Sequence, residues 1–347
     1  MEYVNLGNTG LKVSRFAYGN CINCPEGAQE KANKMLKLAF DSGINFFDTA
    51  EVYGNGEGER QMGIALKALG VPREDYVLTT KIFWGKQSVN TNTQNLVGTS
   101  RKHLIEGLNR SLVAFQHDYV DVVFCHRHDL ATPMLEVCQA MKTIIESGKA
   151  LYWATSEWPA ARIMEAIHIS DKIGCPRPIA DQCQYNMLER SKVEFEYSCL
   201  FDDYKYGTTV WSPLASGILT GKYNAGTPAG SRLDANKQYI TFLEKWFGEA
   251  VRDATIKKLQ ALETIAAELG CKLSQLALAW VIATKDVSTC ILGASSEEQL
   301  KENLGALALK AKITPQLEKR IEEILQNAPE QEKNYLTWQP LPGRRGF

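Results

Sequence analysis

The chain has 347 residues, with 39 basic and 40 acidic side chains and a formal net charge of −1. Its hydrophobic share of 44% and charged share of 23% are those of a globular chain and exclude a disordered one. Near-neutral charge gives no general attraction to nucleic acid or anionic lipid, and the longest apolar run, Leu276 to Ala283, falls well short of the ~20 residues of a membrane-spanning helix.

In chain order, YVNLG, NTG and LKVS read as a small β-hairpin turning at Gly10. A repeating unit follows: a short apolar strand, a Gly-rich or polar turn, then a longer segment of helical period. Strands are expected at 15–19, 45–48, 76–80, 120–125, 150–154, 179–182, 208–211 and 289–292. Helices are expected at 28–42, 57–69, 99–115, 134–147, 160–173, 190–205, 250–269, 274–284, 296–307 and 314–326. Thr314-Pro315 supplies a capping hydroxyl and a first-turn proline for the last of these, and Ser296-Glu297-Glu298 opens the one before it with acidic residues. The segment Gly54-Asn55-Gly56-Glu57-Gly58-Glu59 reads as the turn into the second helix. Strands such as Val120 to Cys125 are almost wholly apolar, as strands covered on both faces are.

Eight strand–helix steps predict an α/β fold, a (β/α)8 barrel with an N-terminal hairpin and extra C-terminal helices. Without linker, low-complexity tract or fixed-period repeat, residues 1–347 read as one domain: hairpin 2–14, barrel 15–308, C-terminal helix and tail 309–347. The long segment from Ser216 to Trp246 reads as a functional loop over the barrel mouth, and the tail WQPLPGRRGF as irregular and mobile. The N-terminus has neither a signal-peptide core nor an Arg-rich presequence. Nine cysteines, an odd number scattered through apolar segments, read as buried free thiols. Cys21 and Cys24 form a lone CxxC, and no His pair at zinc spacing accompanies it, so no metal site is expected. The chain is expected to be cytoplasmic.

In such a barrel, chemistry belongs at the carboxyl ends of the strands. Asp48 and Tyr53 follow the second strand, Lys81 the third and His126 the fourth. Together these types suit carbonyl reduction: a tyrosine as acid, an ammonium to lower its pKa, an aspartate to hold the ammonium, and a histidine to orient the carbonyl. Taken singly, Asp48 reads as a helix cap, Lys81 as a surface lysine, Tyr53 as a rim aromatic and His126-Arg127-His128-Asp129 as a solvated turn. Phe83, Trp84, Trp158 and Tyr185 read equally as pocket walls or as packing. There is no GxGxxG after a strand, so the site is not of the Rossmann kind.

The hairpin, NFFDTAEVYGNGEGERQMGIAL, LTTKIFWG, YVDVVFCHRHD, GKALYWATSEW, WSPLASGILTGKY and CKLSQLALAWVI with ILGASSEEQLKENLGAL together resemble the aldo-keto reductase superfamily. They resemble most its branch of voltage-gated potassium channel β-subunits and plant and bacterial relatives, from Tyr3 to about Gln326. The resemblance implies a catalytic tetrad of Asp48, Tyr53, Lys81 and His126, and hydride transfer from NADPH to a small carbonyl substrate. For the cofactor it implies Gly19, Asn20, Cys21 and Asp48 at the wall, and Ser156, Gln182 and Trp211 at the nicotinamide. It further implies Ser212, Pro213, Leu214, Ala215 and Ser216 along the pyrophosphate, with Lys222 and Arg232 over it. Gly293, Ser295, Gln299, Glu302 and Asn303 would hold the adenosine half, where a helix start suits a 2′-phosphate. Alone, Gly293-Ala294-Ser295 reads as a plain strand-to-helix cap. The family's pattern differs at Gly19-Asn20-Cys21, at Glu157 and at Gly230. As partners the resemblance implies a membrane channel and a four-fold tetramer, although many superfamily members are monomers. The alternatives the resemblance implies are a regulatory, cofactor-sensing subunit with slow turnover and a bacterial-type reductase acting on small phosphorylated aldehydes.

Overall fold

A computed structural model describes residues 1–21, 24–85, 93–229, 231, 234 and 238–345. They divide into two compact units: Met1–Cys183 with Cys199–Trp211 and Ser288–Leu300, and Gln184–Ser198 with Ser212–Val287 and Lys301–Phe347.

The first unit holds the hairpin β1 (Tyr3–Asn5) and β2 (Lys12–Ser14), then eight parallel strands closed into a barrel. These are β3 (Phe16–Gly19), β4 (Phe46–Asp48), β5 (Val77–Ile82), β6 (Val120–Cys125), β7 (Ala150–Ser156), β8 (Ala180–Gln182), β9 (Gly207–Val210) and β10 (Thr289–Leu292). β10 pairs with β3 through Cys290 and Phe16 and closes the ring. The helices α1 (Gln29–Asp41), α2 (Glu57–Ala68), α3 (Arg101–Phe115), α4 (Met134–Glu146), α5 (Ala160–Ile173) and α6 (Ser198–Tyr204) alternate with the strands. β5 and β6 are buried along their whole length, which their β-branched and apolar residues permit. The core packs Ala17, Phe46, Val122, Phe124 and Ile291 from the strands against Leu6 and Val13 from the hairpin. Burying each large side chain contributes roughly 1.5–3 kcal/mol. Gly7 permits the hairpin's approach: it is left-handed, and a Cβ there would lie 2.4 Å from the Ile179 carbonyl oxygen.

The second unit carries α7 (Gln238–Phe247), α8 (Glu249–Glu268), α9 (Leu273–Ala283) and α11 (Pro315–Leu325). α10 (Glu297–Leu304) runs from the first unit's last segment. Thr314 caps α11, accepting from the Leu317 amide at 3.3 Å, with Pro315 in the first turn as the sequence indicates. No single helix among the described residues is long and apolar enough to cross a membrane.

Four expectations need correction. Part of the expected loop from Ser216 to Trp246 is α7, which places Leu243 and Trp246 on one buried side at helical spacing. The helix expected at 190–205 is broken, with a wide π-type turn at Lys192–Glu196 before α6. The turn brings Glu194 inward to the Tyr185 hydroxyl at 2.7 Å and to Arg190 at 2.7 Å. The tail is anchored: Arg344 pairs with Asp286 at 2.9 Å, and Arg345 reaches Glu318 and lies 3.8 Å from the Trp280 ring centroid. The cysteines are all free, but Cys21 and Cys199 are exposed.

Candidate active site

The barrel's carboxyl rim gathers the four residues singled out above. Asp48 closes β4, and its carboxylate accepts from Thr79 Oγ1 at 2.8 Å, Gln182 Nε2 at 3.1 Å and Lys81 Nζ at 2.6 Å. Lys81, on β5, is wholly shielded from solvent. Its ammonium has three donors and three acceptors: Asp48, the Thr49 carbonyl at 2.7 Å and the Tyr53 hydroxyl at 3.4 Å. Tyr53 opens a short 3₁₀ turn, Tyr53–Gly56, in which Gly54, Asn55 and Gly56 are left-handed. A Cβ on Gly54 would come within 2.8 Å of the Cys24 carbonyl oxygen, so this turn needs glycine. His126 follows β6, its amide donating to the Ile82 carbonyl at 3.1 Å and its ring edge-on to Tyr53 at 5.8 Å between centroids.

Burial sets the electrostatics. The Tyr53 phenol is pushed well above its ordinary pKa of 10, first by burial, then by Cys21 and Asp48, with Arg127 opposing. The net lowering expected of the phenol is not found: burial outweighs the Lys81 ammonium, which lies 3.4 Å away and favours the phenolate. Tyr53 therefore holds its proton at neutral pH. Burial lowers the Lys81 amine, and Asp48 opposes that shift. His126 is held well below 6.5 by burial and by the charges of Lys81 and Arg127, so its imidazole is neutral. Its Nδ1 is buried without a hydrogen-bond partner among the described residues.

A second layer fixes these groups. Glu51 accepts from the Phe83 amide at 2.7 Å and the Gly85 amide at 3.0 Å, and faces His103 Nε2 at 3.0 Å. It thereby pins the loop that carries Trp84, whose ring meets His126 edge-on at 4.7 Å. Asp181 accepts from the Glu157 amide at 3.1 Å and from Thr155 Oγ1 at 2.7 Å, supporting Glu157 in a left-handed conformation. Glu157 in turn receives Trp211 Nε1 at 2.8 Å. Of the aromatics left open by the sequence, Phe83 and Trp84 stand at the rim, Trp158 is buried against His128, and Tyr185 is buried on Trp280 in the second unit.

The residues assigned to a cofactor fall on both units. In the first, Gly19 ends β3 with Asn20 and Cys21 after it, and Ser156, Gln182 and Trp211 stand at the ends of β7, β8 and β9. Asn20 Oδ1 is buried without a partner among the described residues, while Ser156 Oγ donates to the Gln182 carbonyl at 2.9 Å. These are polar groups suited to a carboxamide. Gly293, Ser295 and Gln299 are exposed, and the Ser295 amide and hydroxyl both donate to Gln299 Oε1, at 3.0 and 2.9 Å. In the second unit, Ser212, Ala215 and Ser216 are all left-handed, Pro213 and Leu214 lie between them, and Lys222 Nζ would be 3.0 Å from a Cβ on Gly217. A cation over a strained polar turn fits a phosphate. Glu302 is occupied by Lys272 at 2.6 Å and Ser274 at 3.0 Å, and Asn303 is buried. Arg232 and Gly230 lie outside the described residues.

Sequence reasoning missed Arg127. It was visible only as part of a run that reads as a solvated turn, yet its guanidinium donates to Ser156 Oγ at 3.1 Å and to the His126 carbonyl.

The aldo/keto reductase family profile matches residues 25–326. A protein of Oryza sativa subsp. japonica named as a probable voltage-gated potassium channel subunit beta is 43% identical over 337 residues, 96% of this chain and 100% of its own length. A similarly named protein of Arabidopsis thaliana is 42% identical over the same span, again 96% of this chain and 100% of its own. A Schizosaccharomyces pombe protein named as a putative voltage-gated potassium channel subunit beta is 47% identical over 326 residues, 93% of each chain.

Proposed function

This chain belongs to the aldo/keto reductase family, and we propose that it is a cytoplasmic, NADPH-dependent oxidoreductase reducing an aldehyde or ketone, with Tyr53 as proton donor. The observation that carries this reading is the packing of Asp48, Lys81, Tyr53 and His126 at the carboxyl rim of one barrel, with the ammonium shared between Asp48 and Tyr53.

Bound NADPH would supply the hydride to the carbonyl carbon. Ser156, Gln182 and Trp211 are the residues that would hold its nicotinamide, and Ser295 and Gln299 would meet its 2′-phosphate. The chain's own part is the proton. Charge grows on the carbonyl oxygen as the bond to carbon is reduced, and a protonated phenol within reach neutralises it. Lys81 stabilises the phenolate left behind, because its ammonium lies 3.4 Å from that oxygen. Asp48 favours the charged ammonium and opposes the lowering that burial imposes on it. His126, neutral, orients the carbonyl by hydrogen bonding without competing as an acid. Loss of NADPH absorbance on adding 4-nitrobenzaldehyde tests the reading. No NADPH oxidation across a panel of reactive aldehydes would overturn it.

The names of the relatives favour a second reading, a channel-associated subunit that binds the cofactor and turns over slowly. It expects cofactor retained through purification, a four-fold tetramer and capture of a potassium-channel cytoplasmic domain, with little turnover.

A further inference from the structure

One buried carboxylate near the reacting groups has no part in the proton chemistry above. Glu51 stands between Asp48 and Tyr53 in the chain, and its amide donates to the Lys81 carbonyl at 3.2 Å. Its side chain bridges the segment leaving β5 and the helix α3. Oε1 accepts from the Phe83 amide at 2.7 Å and the Gly85 amide at 3.0 Å, and faces His103 Nε2 at 3.0 Å. Oε2 lies 3.7 Å from Arg110. The helix is shaped for this guest. His103, Gly107 and Arg110 recur at helical spacing on one face, and a Cβ on Gly107 would stand 3.2 Å from Glu51 Oε2 and 2.8 Å from Ile82 Cγ2. Gly85 is left-handed, and a Cβ there would overlap the Leu96 carbonyl oxygen, so glycine is needed for the turn that brings its amide to Glu51.

The two amides that Glu51 holds flank Trp84 on either side. The Trp84 ring stands edge-on to His126 at 4.7 Å between centroids, and Tyr53 stands edge-on to it at 5.8 Å. His126 Nδ1 has no hydrogen-bond partner among the described residues, so the imidazole takes its orientation from these two rings. A chain of contacts therefore runs from Glu51 through Trp84 to His126. Its first link is the firmest, because hydrogen bonds to a carboxylate are stronger than those between neutral groups.

We infer that Glu51 is a positioning residue: by gripping the amides on both sides of Trp84 it holds the indole against His126 and so sets the imidazole's approach to a bound carbonyl, a role that rests on the carbonyl-reductase reading above. Glu51 touches no reacting atom and acts through Trp84. Displacing a reacting group by about 1 Å can cost on the order of 10²-fold in rate, so a loosened Trp84 is enough to be felt.

Full-chain variants with NADPH and 4-nitrobenzaldehyde test it. Glu51→Ala should lower kcat/KM about tenfold or more while the NADPH dissociation constant stays within about twofold of wild type. Glu51→Gln keeps an acceptor oxygen for the two amides and should recover part of the loss. Glu51→Asp keeps the charge beside His103 and Arg110 but is one carbon too short to reach the amides. It should behave like Glu51→Ala, and it carries the test where the alanine variant does not fold. In a Trp84→Ala background either substitution should add little further loss, because the ring that Glu51 holds is gone. A merely structural Glu51 would cost as much there as in the wild type. That additive loss, or wild-type kcat/KM in folded Glu51→Ala or Glu51→Asp, overturns the inference and leaves the reductase reading in place. Near-ultraviolet circular dichroism is independent of turnover. The signal of Trp84, read as the difference between each protein and its Trp84→Phe partner, should be clear in wild type and largely lost with Glu51→Ala or Glu51→Asp. That loss supports the hold of Glu51 on Trp84 even if no carbonyl is reduced, in which case the reductase reading falls alone. A Trp84 signal that survives both substitutions overturns the inference whatever the turnover.

Discussion

Lys81 Nζ lies 2.6 Å from Asp48 Oδ2, and both side chains are buried. Breaking such a pair from one side leaves a buried charge uncompensated, at a cost of about 3–5 kcal/mol. Lys81→Met and Asp48→Asn should each destabilise the protein by that order and abolish most carbonyl reduction. The double variant should cost clearly less than the two single costs added, because it removes both charges. Urea unfolding of the three variants measures this coupling. Strict additivity would mean that the two groups do not stabilise each other.

Tyr53 is proposed to give the proton and little else. Tyr53→Phe should therefore lower carbonyl reduction by roughly 10²–10⁴-fold, the worth of a positioned acid, with NADPH binding nearly intact. Fluorescence titration for binding and steady-state assay for turnover separate the two. A Tyr53→Phe protein that turns over like wild type would take the donor role away from Tyr53.

The barrel was readable because its signal repeats. Runs such as VDVVFC and LTTKI can be buried on both faces, and each is followed by a turn and a helical period. The positions of Asp48, Lys81 and His126 followed from where those runs stop. What could not be read depends on contacts between distant segments. Gln182 donates to Asp48 across 134 positions of sequence, and nothing local marks it for that partner. The direction of the Tyr53 shift was misread for the same reason: the sequence shows a lysine at the next strand end but not that the phenol is buried, with Cys21 and Asp48 beside it. Arg127 looked like one more charge in a polar run because Ser156 and Trp84, which its guanidinium meets, are distant in sequence. In the tail, Arg345 is anchored by Trp280 and Glu318, neither adjacent in sequence, so WQPLPGRRGF looked free.

Glu59 gives a pH-dependent prediction away from the chemistry. It is buried on α2 and accepts from Thr80 Oγ1, and burial pushes its pKa from 4.5 up to about 7. Between these values the folded state binds more protons than the unfolded one, so this group's contribution to stability falls as pH rises from 4.5 through 7. Glu59→Gln carries no such charge. Its stability relative to wild type should improve between pH 5 and pH 8 by on the order of 3 kcal/mol at most. Chemical unfolding at the two pH values checks the sign. A difference that stays flat or reverses would show that Glu59 is ionised in the fold throughout.

The cofactor's phosphate is tested at Ser295, where the amide and hydroxyl both point to Gln299 Oε1. A 2′-phosphate would replace that oxygen as acceptor. Ser295→Ala should weaken NADPH several-fold, as loss of one hydrogen bond to a charged group does, and should leave NADH unaffected. Wild-type protein should bind NADPH more tightly than NADH. Equal affinity for the two in the wild type would sink the assignment of Ser295 and Gln299 to the adenosine half.

His126 separates the working enzyme from the regulatory subunit. Burial and the charges of Lys81 and Arg127 hold the imidazole well below 6.5, so at neutral pH it is uncharged and would act on a carbonyl by hydrogen bonding alone. Asparagine keeps a hydrogen-bond donor but loses the ring that packs against Tyr53 and Trp84. If the protein is a working reductase, His126→Asn should cut turnover of 4-nitrobenzaldehyde substantially while leaving NADPH affinity almost unchanged, since the lost contact is to the reacting oxygen. The regulatory reading expects retained cofactor, little turnover and almost no effect of the substitution. Slow cofactor exchange would mask the change at steady state, so single-turnover oxidation of bound NADPH is the decisive measurement. An oxidation step equally fast in wild type and His126→Asn would show that the imidazole takes no part in the chemistry.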